Sequence, residues 1–449
     1  MSTIEKHDMT QGKILLPLVS FTIPLVLGNL FQLTYNAADS VIVGKYVGEQ
    51  ALAAVGTSTP IMNIAILLIS GMCMGASVLM SSQYGAKDYD TLSRQISTTM
   101  LAGCGFSVVF SLLMLLLANP VLRLIRVPET AIPEAAAYLR IIFMGLIFTF
   151  MYNFLANTMR ALGDSKTPLY FLVTSAFLNI FGDLFFVVVL RWGVAGSAIA
   201  TVFSEGLCCL LCGIYIKKKI PLLCLGKKWW VFDKSLLGKT VSYGSTSAMQ
   251  QVCLQLGKLI IQSVVNTQGV AVMAAFTAVN RVDDFAYTPQ QNIGHAMTTF
   301  LAQNKGAGHK ERMKKGFQTG LLIELVYSIG LFCVIWGLAP QIMTLFAEDG
   351  DAQVVSLGIS YLHLISWMYI LPGLTNGVQG FFRGIGDLKV TLYSTFMNMF
   401  GRVMAVFVMI RLLQMEFASL AWANMVGWIV MLLFEVPLLV KSMRNGECG

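Results

Sequence analysis

Between Ile14 and Val47 the chain is apolar for longer than the roughly 20 helical residues that cross a bilayer core of about 30 Å, yet the stretch contains a carboxylate, Asp39. In lipid, every backbone N–H and C=O must be satisfied within the segment, so the stretch predicts a membrane-crossing helix. A charged side chain deep in a membrane costs about 2.5–3.5 kcal/mol on insertion scales, and an acid kept there is a functional-site hypothesis. The alternative is an acid near the helix end that snorkels to water, with Lys45 and Glu49 close behind it.

The pattern recurs along the chain. Only 12% of the 449 residues are charged and 56% are hydrophobic, about half the charge of a soluble domain. Apolar runs predict an all-α polytopic membrane protein of twelve transmembrane helices, beginning near Ile14, Ala51, Thr91, Ala131, Thr167, Val194, Leu236, Val270, Met313, Ala352, Val390 and Phe417. A polar segment of about thirteen residues leads into a stretch too long for an h-region, so no cleavable signal peptide is expected. The net charge of +8 sorts by topology: with the N-terminus inside, 22 of the 31 basic residues fall in even-numbered connections and the two tails, against five on the other side. That asymmetry predicts cytoplasmic termini and a place in the cytoplasmic (inner) cell membrane, with the lipid bilayer as partner and no need for nucleic acid.

Two local spellings carry less. Cys209-Leu-Leu-Cys212 lies in a predicted membrane helix, where its thiols read as small packing groups. Gly238-Lys239-Thr240 resembles the end of a phosphate loop, but Asp233 stands where the first glycine is required. No metal site, cofactor or catalytic residue is expected, and an enzyme is the weakest reading because no nucleophile constellation has usable spacing.

The chain also repeats itself. Arg160-Ala-Leu-Gly-Asp164-Ser-Lys166 returns as Arg383-Gly-Ile-Gly-Asp387-Leu-Lys389, and Ala198-Ile-Ala200 as Ala421-Trp-Ala423, both 223 residues on. Asn179-Ile-Phe-Gly-Asp183 echoes as Asn398-Met-Phe-Gly-Arg402 at 219, a slip of about one helical turn. Six helices per half point both halves the same way, which predicts a parallel repeat: one lobe over 1–216, a basic cytoplasmic linker over 217–234, and a second lobe over 235–449. Two such lobes favour a central cavity open to alternate sides, hence a transporter; a channel and a membrane scaffold are the alternatives.

Tyr35-Asn-Ala-Ala-Asp39-Ser-Val-Ile-Val-Gly44, followed by Ala51-Leu-Ala-Ala-Val-Gly56, resembles the first-helix signature of the multidrug and toxic compound extrusion (MATE) transporters. So does Asn280-Arg281-Val-Asp283-Asp284 with Thr299-Phe-Leu-Ala-Gln303-Asn304-Lys-Gly-Ala307. The resemblance runs over nearly the whole chain. It implies a monomeric two-lobe antiporter that exports small amphipathic molecules in exchange for protons or sodium, the coupling ion being its only inorganic requirement. It also implies a cation or proton site at Asp39, Asn179, Asp183 and Thr201, with Tyr35, Tyr138 and Asn153 in the surrounding hydrogen-bond network. Residue spacing agrees: Asn179 and Asp183, like Tyr35 and Asp39, are four apart and share a helix face. Two acids in one such site hold their protons as a coupled pair. Asp183 has an alternative reading as an acid paired through Arg140.

The second half departs from the family pattern. Helix 7 offers Gln250, Gln251, Gln255 and Lys258, and helix 10 offers His363 and Asn376, so a second cation site is not expected. Gln251, Gln255, Lys258, Asp284 and Asn376 are candidate polar residues of a cavity. Lys258 pairs with Glu324 or Asp284, or else selects zwitterionic or anionic cargo; Arg281 and Asp284, three apart, read as an ion pair. A flippase of lipid-linked sugars is the runner-up function, since Lys258 and Arg402 would suit phosphates.

Overall fold

The computed structural model describes residues 8–124, 127–129, 131–220, 230–346, 352–413, 415 and 417–444, so the expected linker lies partly outside the described residues, at 221–229. Among the described residues there is no strand. The helices are α1 (Leu15–Tyr46), α2 (Glu49–Gly85), α3 (Tyr89–Leu124), α4 (Ile132–Ala161), α5 (Lys166–Asp183) and α6 (Gly193–Lys219), then α7 (Lys234–Val265), α8 (Val270–Gly306) and α9 (Lys310–Phe346). After them come α10 (Ala352–Gly384), α11 (Leu388–Val406) and α12 (Ser419–Arg444). A 3₁₀ turn at Trp367–Tyr369 interrupts α10.

The helices begin within about three residues of the apolar runs that predicted them, because charged and glycine-bearing connections end each run. Among the described residues ten helices are individually long and apolar enough to span a membrane, and the chain is a multi-pass membrane protein. The other two are α7 and α8. In α8 the polar run Asn280, Arg281, Asp283 and Asp284 lowers the mean, and Asp283 is turned inward, only 4% exposed.

Backbone geometry repeats along with sequence. Gly163 and Gly386 each end a helix at positive φ, 90° and 85°. Their N–H groups return to the carbonyls of Arg160 and Arg383 at 2.9 and 3.0 Å, and those of Asp164 and Asp387 return to Met159 and Phe382. A glycine adopts that left-handed geometry without a Cβ penalty, which is why the repeated motif keeps one there. A π-helical turn follows α5 at Leu184–Val189 and another follows α11 at Phe407–Leu412, 223 residues apart.

The chain divides into two compact units, one holding Ile23–Ala248 and the other Met9–Thr22 with the chain from Met249 onward. In the first, α4 packs against α2, α3 and α6, and buries Leu139, Phe143, Leu146, Phe150 and Phe154. Asp233 caps α7 by accepting from the N–H groups of Ser235 and Leu236 at 2.8 and 3.2 Å, and pairs with Arg94 of α3. Gly238-Lys239-Thr240 is helical within α7, where Gln95 donates to the Thr240 hydroxyl, so no phosphate loop forms. Cys209 and Cys212 both lie in α6 as free thiols, Cys212 fully buried.

In the second unit, α8 packs against α9 and α10, around the buried rings of Phe300, Tyr361, Tyr369 and Phe381. The segment ahead of α1 is held by Arg312 of α9, whose guanidinium donates to the carbonyls of Met9, Gln11 and Gly12 at 2.6–3.2 Å.

Candidate functional site

The first unit gathers its acids from three helices. Asp39 of α1 accepts a hydrogen bond from Ser197 of α6 at 2.6 Å. Asp183 is the last residue of α5, fully buried, and its carboxyl adjoins that of Asp39. One turn earlier, Asn179 donates through Nδ2 to the Thr201 hydroxyl of α6 at 3.1 Å. The close approach of the two helices depends on Gly182, where a Cβ would come within 2.9 Å of Ala200 Cβ.

Polar acceptors outnumber donors at this point. Both carboxyl oxygens of Asp183 and Oδ1 of Asn179 are buried and meet no donor. A buried carboxylate left in that condition is costly, whereas a proton on one acid, or a small hard cation among the oxygens, satisfies it. Arg140 does not serve as partner: it is exposed, and Asp183 has no hydrogen bond to it.

The surrounding residues divide. Tyr35 and Tyr138 lie within electrostatic reach of Asp39, and Tyr138 also of Asp183; the Tyr138 hydroxyl itself contacts Met62 Sδ at 3.7 Å. Asn153 donates to the carbonyl of Thr149 on its own helix, at 2.9 Å, and so does not reach the acids. Sequence reasoning missed Ser197 and Glu205. The Glu205 carboxyl accepts from Thr149 at 2.5 Å and acts electrostatically on both Tyr35 and Tyr138. A signal for both was present, since Ser197, Thr201 and Glu205 follow at four-residue intervals along one face of α6.

The second unit contains a cavity of about 210 Å³. Lys258, Asp284 and Asn376 line it, with Gln379, Arg402 and Trp428. Gln251 and Gln255 are not in its wall; α7 turns Leu254 and Lys258 toward it instead. Lys258 pairs with Asp284 at 3.1 Å, a correction to the Arg281–Asp284 pair that spacing along α8 had suggested. Three buried acids, Asp283, Glu324 and Glu435, lie outside the cavity wall in this unit. Asp283 accepts from the hydroxyls of Tyr361 and Tyr369 at 3.1 and 2.5 Å, and Glu324 is fully buried with no donor to either oxygen.

Comparison with known proteins gives the same duplication. The MatE family model matches the chain twice, over residues 24–185 and 247–409. A probable multidrug resistance protein of Bacillus subtilis (strain 168), YpnP, is 32% identical over 392 residues, covering 87% of this chain and 86% of that protein. A second from the same organism, YoeA, is 29% identical over 389 residues, covering 85% and 82%. Among solved structures, a MOP superfamily transporter from Pyrococcus furiosus has the same fold, with a TM-score of 0.91 at 21% identity over 99% of both chains.

Proposed function

Because the chain belongs to the MATE family of multidrug efflux transporters, we propose that it is a secondary active antiporter of the cell membrane, with both termini cytoplasmic, exporting amphipathic small molecules in exchange for protons. The observation that carries this reading is the pair of adjoining carboxyl groups, Asp39 and Asp183, in which both Asp183 oxygens, like Oδ1 of the neighbouring Asn179, are buried and lack donors. A proton supplies what those atoms lack. It also removes a charge from the low-dielectric interior, so that loading and unloading change the cost of opening the site to water.

Sodium is the second candidate for the coupling ion, because two carboxylates, the amide oxygen of Asn179 and the hydroxyl of Thr201 are hard oxygen ligands. Helix α1 carries Pro24 within its body, a place where the ladder of backbone hydrogen bonds is already broken and the helix can bend as the site changes charge. The driving force is adequate. One pH unit supplies about 1.4 kcal/mol and 100 mV about 2.3 kcal/mol per charge, so one proton sustains a gradient of several hundredfold, on the order of 500, for a neutral cargo. No ATP is required, and a single chain suffices.

The test is efflux of a dye from proteoliposomes under an imposed pH gradient, with and without sodium, comparing the parent with Asp39→Asn. The expected result is pH-driven efflux in the parent and its loss in the variant. Equal transport by both proteins would remove Asp39 from coupling, and a strict requirement for sodium would replace the proton.

A further inference from the structure

The two halves of the chain share a backbone register, and that register puts particular residues in equivalent places. At the 223-residue spacing of the two π-helical turns, Lys258 stands where Tyr35 stands in the first half, and Arg402 where Asn179 stands. In the first unit those places border the acids. In the second, both carry a cation, and both line the second unit's cavity.

The two cations differ in how they are balanced. Lys258 is neutralised by Asp284 at 3.1 Å. The Arg402 guanidinium donates to no protein acceptor among the described residues. The negative charge that acts on it, Asp283, is buried outside the cavity wall with its oxygens taken by two tyrosine hydroxyls. A guanidinium presents five N–H groups in a planar fork that matches a carboxylate, sulfonate or phosphate. Around it the wall is apolar at Leu254, Met399, Trp428 and Met431.

We propose that this cavity binds amphipathic organic anions, with the anionic head on Arg402 and the apolar body against Trp428, Met399 and Met431. Amphipathic anions are then the cargo class of the exporter. The assignment of cargo rests on the antiporter reading given above, whereas the binding itself requires no gradient.

Two dyes that share a xanthene frame and differ in charge test it: fluorescein, an anion, and rhodamine 6G, a cation. Their fluorescence anisotropy is titrated with the full chain in neutral detergent. Fluorescein should bind at least about tenfold more tightly than rhodamine 6G, and Arg402→Gln should weaken fluorescein by about 10–100-fold, the range of a charge-assisted hydrogen bond, without weakening rhodamine 6G. Arg402→Lys should recover part of the loss. Asp284→Asn, which frees Lys258, should tighten fluorescein several-fold, a gain that misfolding cannot produce. Equal or tighter binding of the cation, binding of neither dye, or the same response of both dyes to Arg402→Gln overturns the proposal. Selective anion binding together with failure of pH-driven efflux would instead overturn the antiporter and leave the anion site standing.

Discussion

Ser197 donates its hydroxyl to Asp39 at 2.6 Å, so the acid inside the first helix is held by a helix that follows 158 residues later. Hydrogen bonds to a charged group contribute about 1.5–3 kcal/mol. Ser197→Ala should therefore slow pH-driven efflux by about tenfold while Ser197→Thr retains most of it, because threonine keeps the hydroxyl. Initial rates in proteoliposomes at matched protein density check this. An alanine variant as fast as the parent would mean that Asp39 needs no such hold.

Gly182 gives a second prediction, this time about backbone spacing. A side chain there meets Ala200, whose helix carries both Ser197 and Thr201. Gly182→Val should force α5 away from α6, at a cost of about 1–3 kcal/mol for overpacking, and should separate Asn179 from Thr201. The expected outcome is a protein that inserts and elutes as a single species in detergent but transports poorly. Compensation by Ala200→Gly would confirm that the contact, and not the loss of glycine, is responsible.

Glu324 gives a prediction with the opposite sign. The two hydrogens of the Gln290 amide go to Ser328 Oγ and the Tyr369 carbonyl, at 3.1 and 2.8 Å, and Ser328 donates to the backbone of Glu324 itself at 2.7 Å. No donor remains for the carboxyl. Glu324→Gln keeps the volume, removes the ionisable group and adds donors, so it should stabilise the protein by about 1 kcal/mol, read as a higher thermal midpoint in detergent. A lower midpoint would assign the carboxyl a positively charged partner, such as a bound ion.

The first helix and its acid, the twelve starting points and the duplication were legible in the sequence because each depends on pattern along one segment. Apolar run length sets helix boundaries, and four-residue spacing places Asn179 and Asp183 on one face. What the sequence did not reveal depends on which helices meet. The sequence left Lys258 between Glu324 and Asp284 and set Arg281 beside Asp284 by spacing along α8; the fold decides for Lys258–Asp284 across two helices. Asn153 was placed beside the acids by resemblance, but its amide turns back to its own helix. Glu205 shares the spacing of Ser197 and Thr201 along α6, but its link to the site runs through Thr149 of α4, a contact between helices that no pattern along one segment encodes.

Arg312 supports a fourth prediction. Its guanidinium gathers three backbone carbonyls ahead of α1, with the Met9 N–H bonded to Gln303 Oε1 at 3.1 Å and Asn304 donating to the Met9 carbonyl at 3.2 Å. Arg312→Ala should release the segment around Gly12 and open it to limited proteolysis, with cleavage mapped by mass spectrometry. Arg312→Lys, which cannot reach three carbonyls from a planar fork, should protect only partly. Equal protease resistance in all three proteins would show that Gln303 and Asn304 suffice.

The paired π-helical turns bear on how the chain can be cut and rejoined. Each turn widens the helix and shifts the phase of every side chain beyond it, by about 100° for one added residue. Because both halves make the shift at the same point, a segment moved from one half to the other stays in phase only if the two cuts are 223 residues apart. A graft aligned on the matching letters at Asn179 and Asn398 would instead land four residues out of step, about 6 Å along the axis. For chimeras of this chain, the shape of the backbone is the ruler: the likeness at Arg160 and Arg383 agrees with it, and the likeness at Asn179 and Asn398 misreads it by about a full turn.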